Sequence, residues 1–289
     1  MDEPIDFSFQ KRREKYLAYL RDFCLMDDTF MSRVFKRKEC AALLLQIILD
    51  RNDLVVTEVR TQEDLKNLYG RSVCLDILAV DHEGKIYNIE IQRKDEGAVA
   101  KRARYNSALL DANITDPGEN FEALKETYVI FITEHDVLKA GLPLYHIDKI
   151  IRETGAVFRD ESHIIYVNSQ IQDESALGKL MHDFYCKDPN EMYFPVLADE
   201  TRYFKENEKG VETMCKAMEE IRAEGRIEGR VEGRVEGRVE GRAEGRMEFA
   251  KEIAVDLAKS GHSVSDIARF LKQNVPTVQS WIKEVSSSM

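Results

Sequence analysis

A chain of 289 residues with 43% hydrophobic content and a formal charge of −11 can form one sizeable core plus a smaller appendage, and is not disordered in composition. From residue 224 onward eleven acidic and eleven basic side chains cancel, so the acidic excess lies earlier and any phosphate-binding surface must be a local patch. Five cysteines without a CxxC pair, and six histidines without a pair at helical ligand spacing, argue against a disulfide framework or a zinc site and fit a reducing cytoplasm.

The first six residues are acidic and lead into Lys11-Arg12-Arg13, so the start lacks the apolar core of a signal peptide. The best apolar run, Cys40 to Leu49, is ten residues long and contains Gln46, which predicts no membrane span. Residues 7 to 36 read as two helical pieces, with Asp27-Asp28-Thr29 offering capping groups to the second. Lys36 to Asp50 reads as an amphipathic helix with Ala41, Leu44, Leu45, Ile48 and Leu49 on one face. Glu39, near its start, is either a solvated acid favoured by the helix dipole or an additional metal ligand. Leu54 to Thr61 reads as a first strand, followed by a polar segment to Gly70.

Residues 71 to 92 carry a β-hairpin signal: two runs rich in Val, Ile, Leu and Tyr around a short polar segment ending in Gly84. With His82-Glu83-Gly84 as the loop and Gly84 left-handed, Val80 opposes Ile86, Leu78 opposes Asn88 and Asp76 opposes Glu90. Side chains alternate along a strand, so Glu90 and Gln92 share a face with Ile86 and Asn88. Facing carboxylates repel unless a cation or a proton sits between them. Hard cations such as Mg²⁺ accept one or two carboxylates plus water and phosphate oxygens. The plainer alternative is a hairpin with ordinary surface acids.

After the hairpin, residues 93 to 104 hold five basic and two acidic groups. A helix from about Ala98 to Asn113 presents Lys101, Arg102 and Arg104 near Tyr105, with Lys94 just ahead. Arg grips phosphate oxygens bidentately, and Tyr can stack or donate; a solvated helix face would look the same. Tyr128 to Thr133 is a buried-strand run.

This order, with Leu75-Asp76-Ile77-Leu78-Ala79, Gly84 through Ile89-Glu90-Ile91-Gln92, Arg102-Ala103-Arg104-Tyr105, and Asp28-Thr29-Phe30 ahead of Phe35, resembles the PD-(D/E)XK nuclease superfamily. The nearer resemblance is to its branch of recombination-promoting nucleases and putative transposases, over roughly residues 20 to 200. It implies an α/β fold with a restriction-endonuclease-like core (α-β-β-β-α-β around a mixed central sheet) and metal-dependent DNA endonuclease activity tied to recombination or mobile DNA. It further implies Mg²⁺ (or Mn²⁺ or Ca²⁺) held by Asp76, Glu90 and the carbonyl of Ile91, with Gln92 as the third catalytic residue. Lys94, Lys101, Arg102, Arg104 and Tyr105 would contact DNA. Gln92 stands where the superfamily more often has Lys; its amide orients by hydrogen bonds but supplies no charge. The alternative is a catalytically degenerate DNA-binding or assembly protein on the same fold.

Residues 134 to 200 read as supporting structure: Leu142 to Ile147 leading into a short helix, a strand from His163 to Asn168, and a helix from Lys179 to Tyr185 stopped by Asp188-Pro189-Asn190. From Glu224 to Arg246 the chain repeats Glu-Gly-Arg-(Val, Ala or Ile). Its like charges four apart and its glycines disfavour a solitary helix. Either the glycine stripe lets two helices approach in a homodimer through residues 211–250, or the segment is a flexible linker. Phe249 to Lys259, a capping box at Ser263 to Asp266, and a helix opened by Pro276 complete the tail. These helices are similar to helix-turn-helix regions of recombinases, yet carry no net charge, so a helical cap competes with a DNA reader. The organisation is thus a nuclease-like domain over 1–200, a linker over 201–246 and a small helical domain over 247–289.

Overall fold

Gly84 takes φ +83°, the left-handed conformation the turn requires. On either side β2 (Val73–Asp81) and β3 (Ile86–Gln92) pair antiparallel, with Val80 opposite Ile86 and Leu78 opposite Asn88. Asp81 fastens the turn: its Oδ1 accepts the Glu83 and Lys85 N–H groups, each at 2.9 Å, and its Oδ2 accepts the Tyr87 hydroxyl at 2.8 Å. The computed structural model describes residues 7–67 and 70–286; the stretch read as lacking a signal-peptide core, residues 1–6, lies outside them.

Around the hairpin lie β1 (Val56–Leu65), β4 (Thr127–Thr133), β5 (Leu144–Ile147) and β6 (Ser162–Asn168), giving a six-stranded mixed sheet in the order β1-β2-β3-β4-β6-β5. The inner pairs β3–β4 and β4–β6 are parallel and the outer pairs antiparallel. Two sequence expectations are corrected. The first strand continues to Leu65, because the segment read as a polar connection pairs along the whole of β2, ending at Leu65 opposite Val73. Residues 144 to 147 form the edge strand β5, paired with β6 from Leu144–Val167 to Ile147–Ile164, and do not lead into a helix.

The sheet is buried on both faces. On one, Ile77, Tyr87, Ile89, Ile91, Ile130, Ile132 and Val167 pack against α1 (Phe7–Asp22), α2 (Asp28–Val34), α3 (Lys38–Ile48), α5 (Ala176–Tyr185) and α6 (Pro195–Glu206). On the other, Leu78 and Ile86 meet Leu109 and Leu110 of α4 (Ala100–Ile114), and Val129 and Phe131 meet its Ala103. Each fully buried aliphatic side chain contributes about 1.5–3 kcal/mol. Because α4 covers the face that carries Asn88, Glu90 and Gln92, polar groups there are held away from water. Asp27 stands at the α2 N-cap, but its carboxylate turns back to the Cys24 N–H at 2.9 Å and does not cap the helix.

The chain divides into two compact units, Met1–Glu219 and Glu220–Met289. The first extends past residue 200 because Thr201 and Phe204 of α6, and Val211, Met214, Cys215 and Met218 of α7 (Glu208–Lys259), are buried. The repeat is helical throughout its length in α7. In the second unit, Ala254 packs with Ile267 and Ala268 of α8 (Val264–Leu271) and Val278 and Trp281 of α9 (Val275–Ser286). Ser263 caps α8 by accepting the Asp266 N–H, and Asn274 accepts the Thr277 N–H at 2.9 Å. Among the described residues no helix is long and apolar enough to cross a membrane.

Candidate active site

Asp76 sits near the start of β2, half-buried, and its Oδ2 accepts the Ile91 N–H at 2.9 Å. The regular β2–β3 pairing runs only as far as Ile77–Ile89; beyond it the Asp76 side chain takes a main-chain donor of β3. The N–H and C=O of one strand residue point to the same side. Ile86 and Gln92 use theirs towards β4 and its flanks, through Glu126 O and Glu134 N, so the Ile91 carbonyl faces the side of Asp76. Opposite Asp76 on β1, Gln62 holds φ +56°, an uncommon conformation for a residue with a side chain. Gln62 Oε1 accepts the Cys74 thiol at 3.6 Å.

Glu90 is fully buried. One oxygen, Oε2, accepts from Arg102 Nη2 at 3.0 Å; the other, Oε1, has no hydrogen-bond partner. Burial lifts both carboxyls. Asp76 rises to about 6, with the Ile91 N–H opposing the rise and the Asp28 charge adding to it. Glu90 rises to about 8, because burial and the Asp76 charge together outweigh Arg102. The Asp76 charge disfavours ionising Glu90 beside it. Two acids that resist ionising together, one with a bare oxygen, form a donor set suited to a hard cation.

Gln92 is half-buried beside them, its Oε1 3.5 Å from Arg102 Nη1, which also donates to Gly97 O at 2.9 Å. A Cβ on Gly97 would fall 2.0 Å from Gln92 Oε1, so only glycine permits this contact. The Nε2 hydrogens of Gln92 meet no acceptor among the described residues and remain available as donors.

Of the basic residues, Arg102 reaches the carboxylates, and Lys101 and Tyr105 line a neighbouring cavity. Lys94 and Arg104 are exposed and outside that lining. Glu39 is exposed on the first turn of α3, 3.3 Å from Arg37, and is not among the main influences on Asp76 or Glu90. Asp28, at the start of α2, supplies that extra negative charge instead. Its pattern Asp28-Thr29-Phe30 was visible, but reads locally as a helix start. Among the described residues no three His, Cys, Asp or Glu side chains gather to hold a metal unaided.

Neither the curated proteins nor the solved structures contain a match to this chain. The model of the PD-(D/E)XK nuclease family transposases does match, over residues 24–196. That span covers α2 through the α6 start, with Asp76, Glu90, Gln92 and Arg102 all inside it, and nucleases of this superfamily generally use divalent metals. With more than half of its length matched and a mixed sheet carrying the paired acids, the chain belongs to the PD-(D/E)XK nuclease family transposases.

Proposed function

We propose that the chain is a DNA endonuclease that hydrolyses phosphodiester bonds with a divalent cation, Mg²⁺ in the first place, and serves recombination or mobile DNA. The observation that carries this reading is the pairing of half-buried Asp76 with fully buried Glu90, whose Oε1 has no hydrogen-bond partner. Asp76, Glu90 and the Ile91 carbonyl would hold the cation, with water and phosphate oxygens filling the other positions. When bound, the cation would acidify a water and shield charge on the scissile phosphate.

The chain's own groups do the rest. Gln92 orients a water or a phosphate oxygen through its Nε2 hydrogens. Arg102 favours the charged form of Glu90 against burial and the Asp76 charge and, with Lys94, Lys101, Arg104 and Tyr105, holds the DNA backbone. The five free cysteines suit a reducing cytoplasm. A homodimer through residues 211–250 is supported by the exposed row Ile227, Val231, Val235 and Val239 on α7. The glycines between them have open space around any added Cβ.

The test is supercoiled plasmid incubated with Mg²⁺ or with chelator. Nicking should require Mg²⁺ and vanish in Asp76→Ala and Glu90→Ala. Activity unchanged in those variants overturns the assignment. Gln92 in place of a charged residue favours a second reading, a DNA-binding protein without activity; tight binding without cleavage under several divalent cations would select it.

A further inference from the structure

Asn88 lies on the face of β3 that carries Glu90, and α4 brings Asn106 over that face. Both are fully buried; Asn88 sits against the Glu90 carboxyl and lowers its pKa, whereas neither the amide nitrogen nor the amide oxygen of Asn106 has a hydrogen-bond partner. Native proteins rarely leave buried amides unpaired, and an exception calls for a missing partner. Asn106 also lines a cavity of about 570 Å³, together with Arg71, Cys74, Lys101, Arg102 and Tyr105. That volume lies in the range of small-molecule pockets.

The lining has a division of labour. The Tyr105 hydroxyl donates to Arg71 O and accepts from Asn67 Nδ2 at 3.0 Å, so the ring is fixed as a flat wall with its polar end already satisfied. Arg71 and Lys101 are exposed, positive, and suited to phosphate. Arg102 joins the cavity to the carboxylates through Glu90. A carboxamide pairs bidentately with the adjacent donor and acceptor of a base edge, and a base stacks on an aromatic ring whatever its sequence. A base within a paired duplex offers neither a free face nor a free edge.

We propose that this cavity receives an unpaired nucleotide of the substrate strand, its base against Tyr105 and Asn106 and its phosphate between Arg71 and Lys101. The inference rests on the nuclease reading and narrows its substrate class to DNA with an unpaired or everted base beside the cut phosphate.

Full-length protein in chelator is titrated with a labelled duplex and with the same duplex carrying a short central bulge, with fluorescence anisotropy as readout. Binding to the bulged duplex should be about tenfold tighter, the worth of one stacked base. Asn106→Leu removes the unpaired amide at similar size, so its melting temperature should hold or rise while most of the preference is lost. Tyr105→Leu should lose the preference too. Equal affinity for the two duplexes, or a preference that survives both substitutions, overturns the cavity assignment and leaves the nuclease reading standing. Binding to neither duplex also overturns it, and plasmid nicking then tells whether the nuclease reading falls with it.

Discussion

Arg102 Nη2 lies 3.0 Å from Glu90 Oε2, joining a guanidinium that keeps 35% of its side-chain exposure to a carboxylate that has none. The pair is lopsided: the acid depends on the base, whereas the base retains water. In Arg102→Gln the Glu90 carboxyl should ionise at still higher pH. The loss of stability against wild type should then be small near pH 6, where Glu90 is protonated either way, and about 1–2 kcal/mol near pH 9, with solvent screening keeping it at the low end. Thermal melts at the two pH values read this directly; a loss that does not grow with pH would contradict it.

Glu90 has a folded-state pKa raised by burial and the Asp76 charge, so its neutral form suits the fold and its charged form does not. The stability it contributes is full below the unfolded-state value and drains away as pH climbs through about 8. Glu90→Gln cannot ionise. Its melting temperature relative to wild type should therefore improve as pH rises from about 5 and level off above about 8. The same variant should lose metal-dependent nicking at every pH. A melting difference that stays flat from pH 5 to 9 would show that Glu90 is not held neutral.

The hairpin register was legible because alternation and one glycine determine it: Val80 meets Ile86 and Leu78 meets Asn88. The common face of Asn88, Glu90 and Gln92 follows from the same alternation, whereas the regular pairing stops at Ile77–Ile89 and the Asp76 side chain takes the Ile91 N–H instead. What local periodicity does not encode is how a helix approaches a sheet. Glu39 and Asp28 both read as first-turn acids, and only packing decides that Asp28 acts on Asp76 while Glu39 pairs with Arg37. A basic cluster was plain on α4, yet nothing in its spacing singles out Arg102 as the residue that reaches Glu90. Edge strand β5 escaped because four residues after Pro143 owe their conformation to β6.

Gly97 and Gln92 are in contact that no other residue at position 97 would allow. The atom an alanine would strike is the end of a flexible side chain, so Gly97→Ala should push the Gln92 carboxamide away from Arg102 and leave the fold intact. Nicking should fall by about 10²-fold, the usual cost of a small misplacement in a catalytic group, with a melting temperature within a degree or two of wild type, as expected where no core is disturbed. If activity is unchanged, Gln92 is not a working part of the site.

Gly229, Gly233 and Gly237 on α7 have open space around any added Cβ. Converting all three to alanine should therefore strengthen the helix, by up to about 1 kcal/mol per position, seen as a helical signal that melts later. If a second copy packs against the glycine stripe, the same methyl groups would hold the two backbones apart, and the dimer should weaken even as the helix gains. Sedimentation of wild type and triple variant separates the cases. A dimer lost while helicity rises supports assembly through this stripe, an unchanged dimer rules the stripe out as its seam, and a monomer in both assigns the repeat to spacing alone.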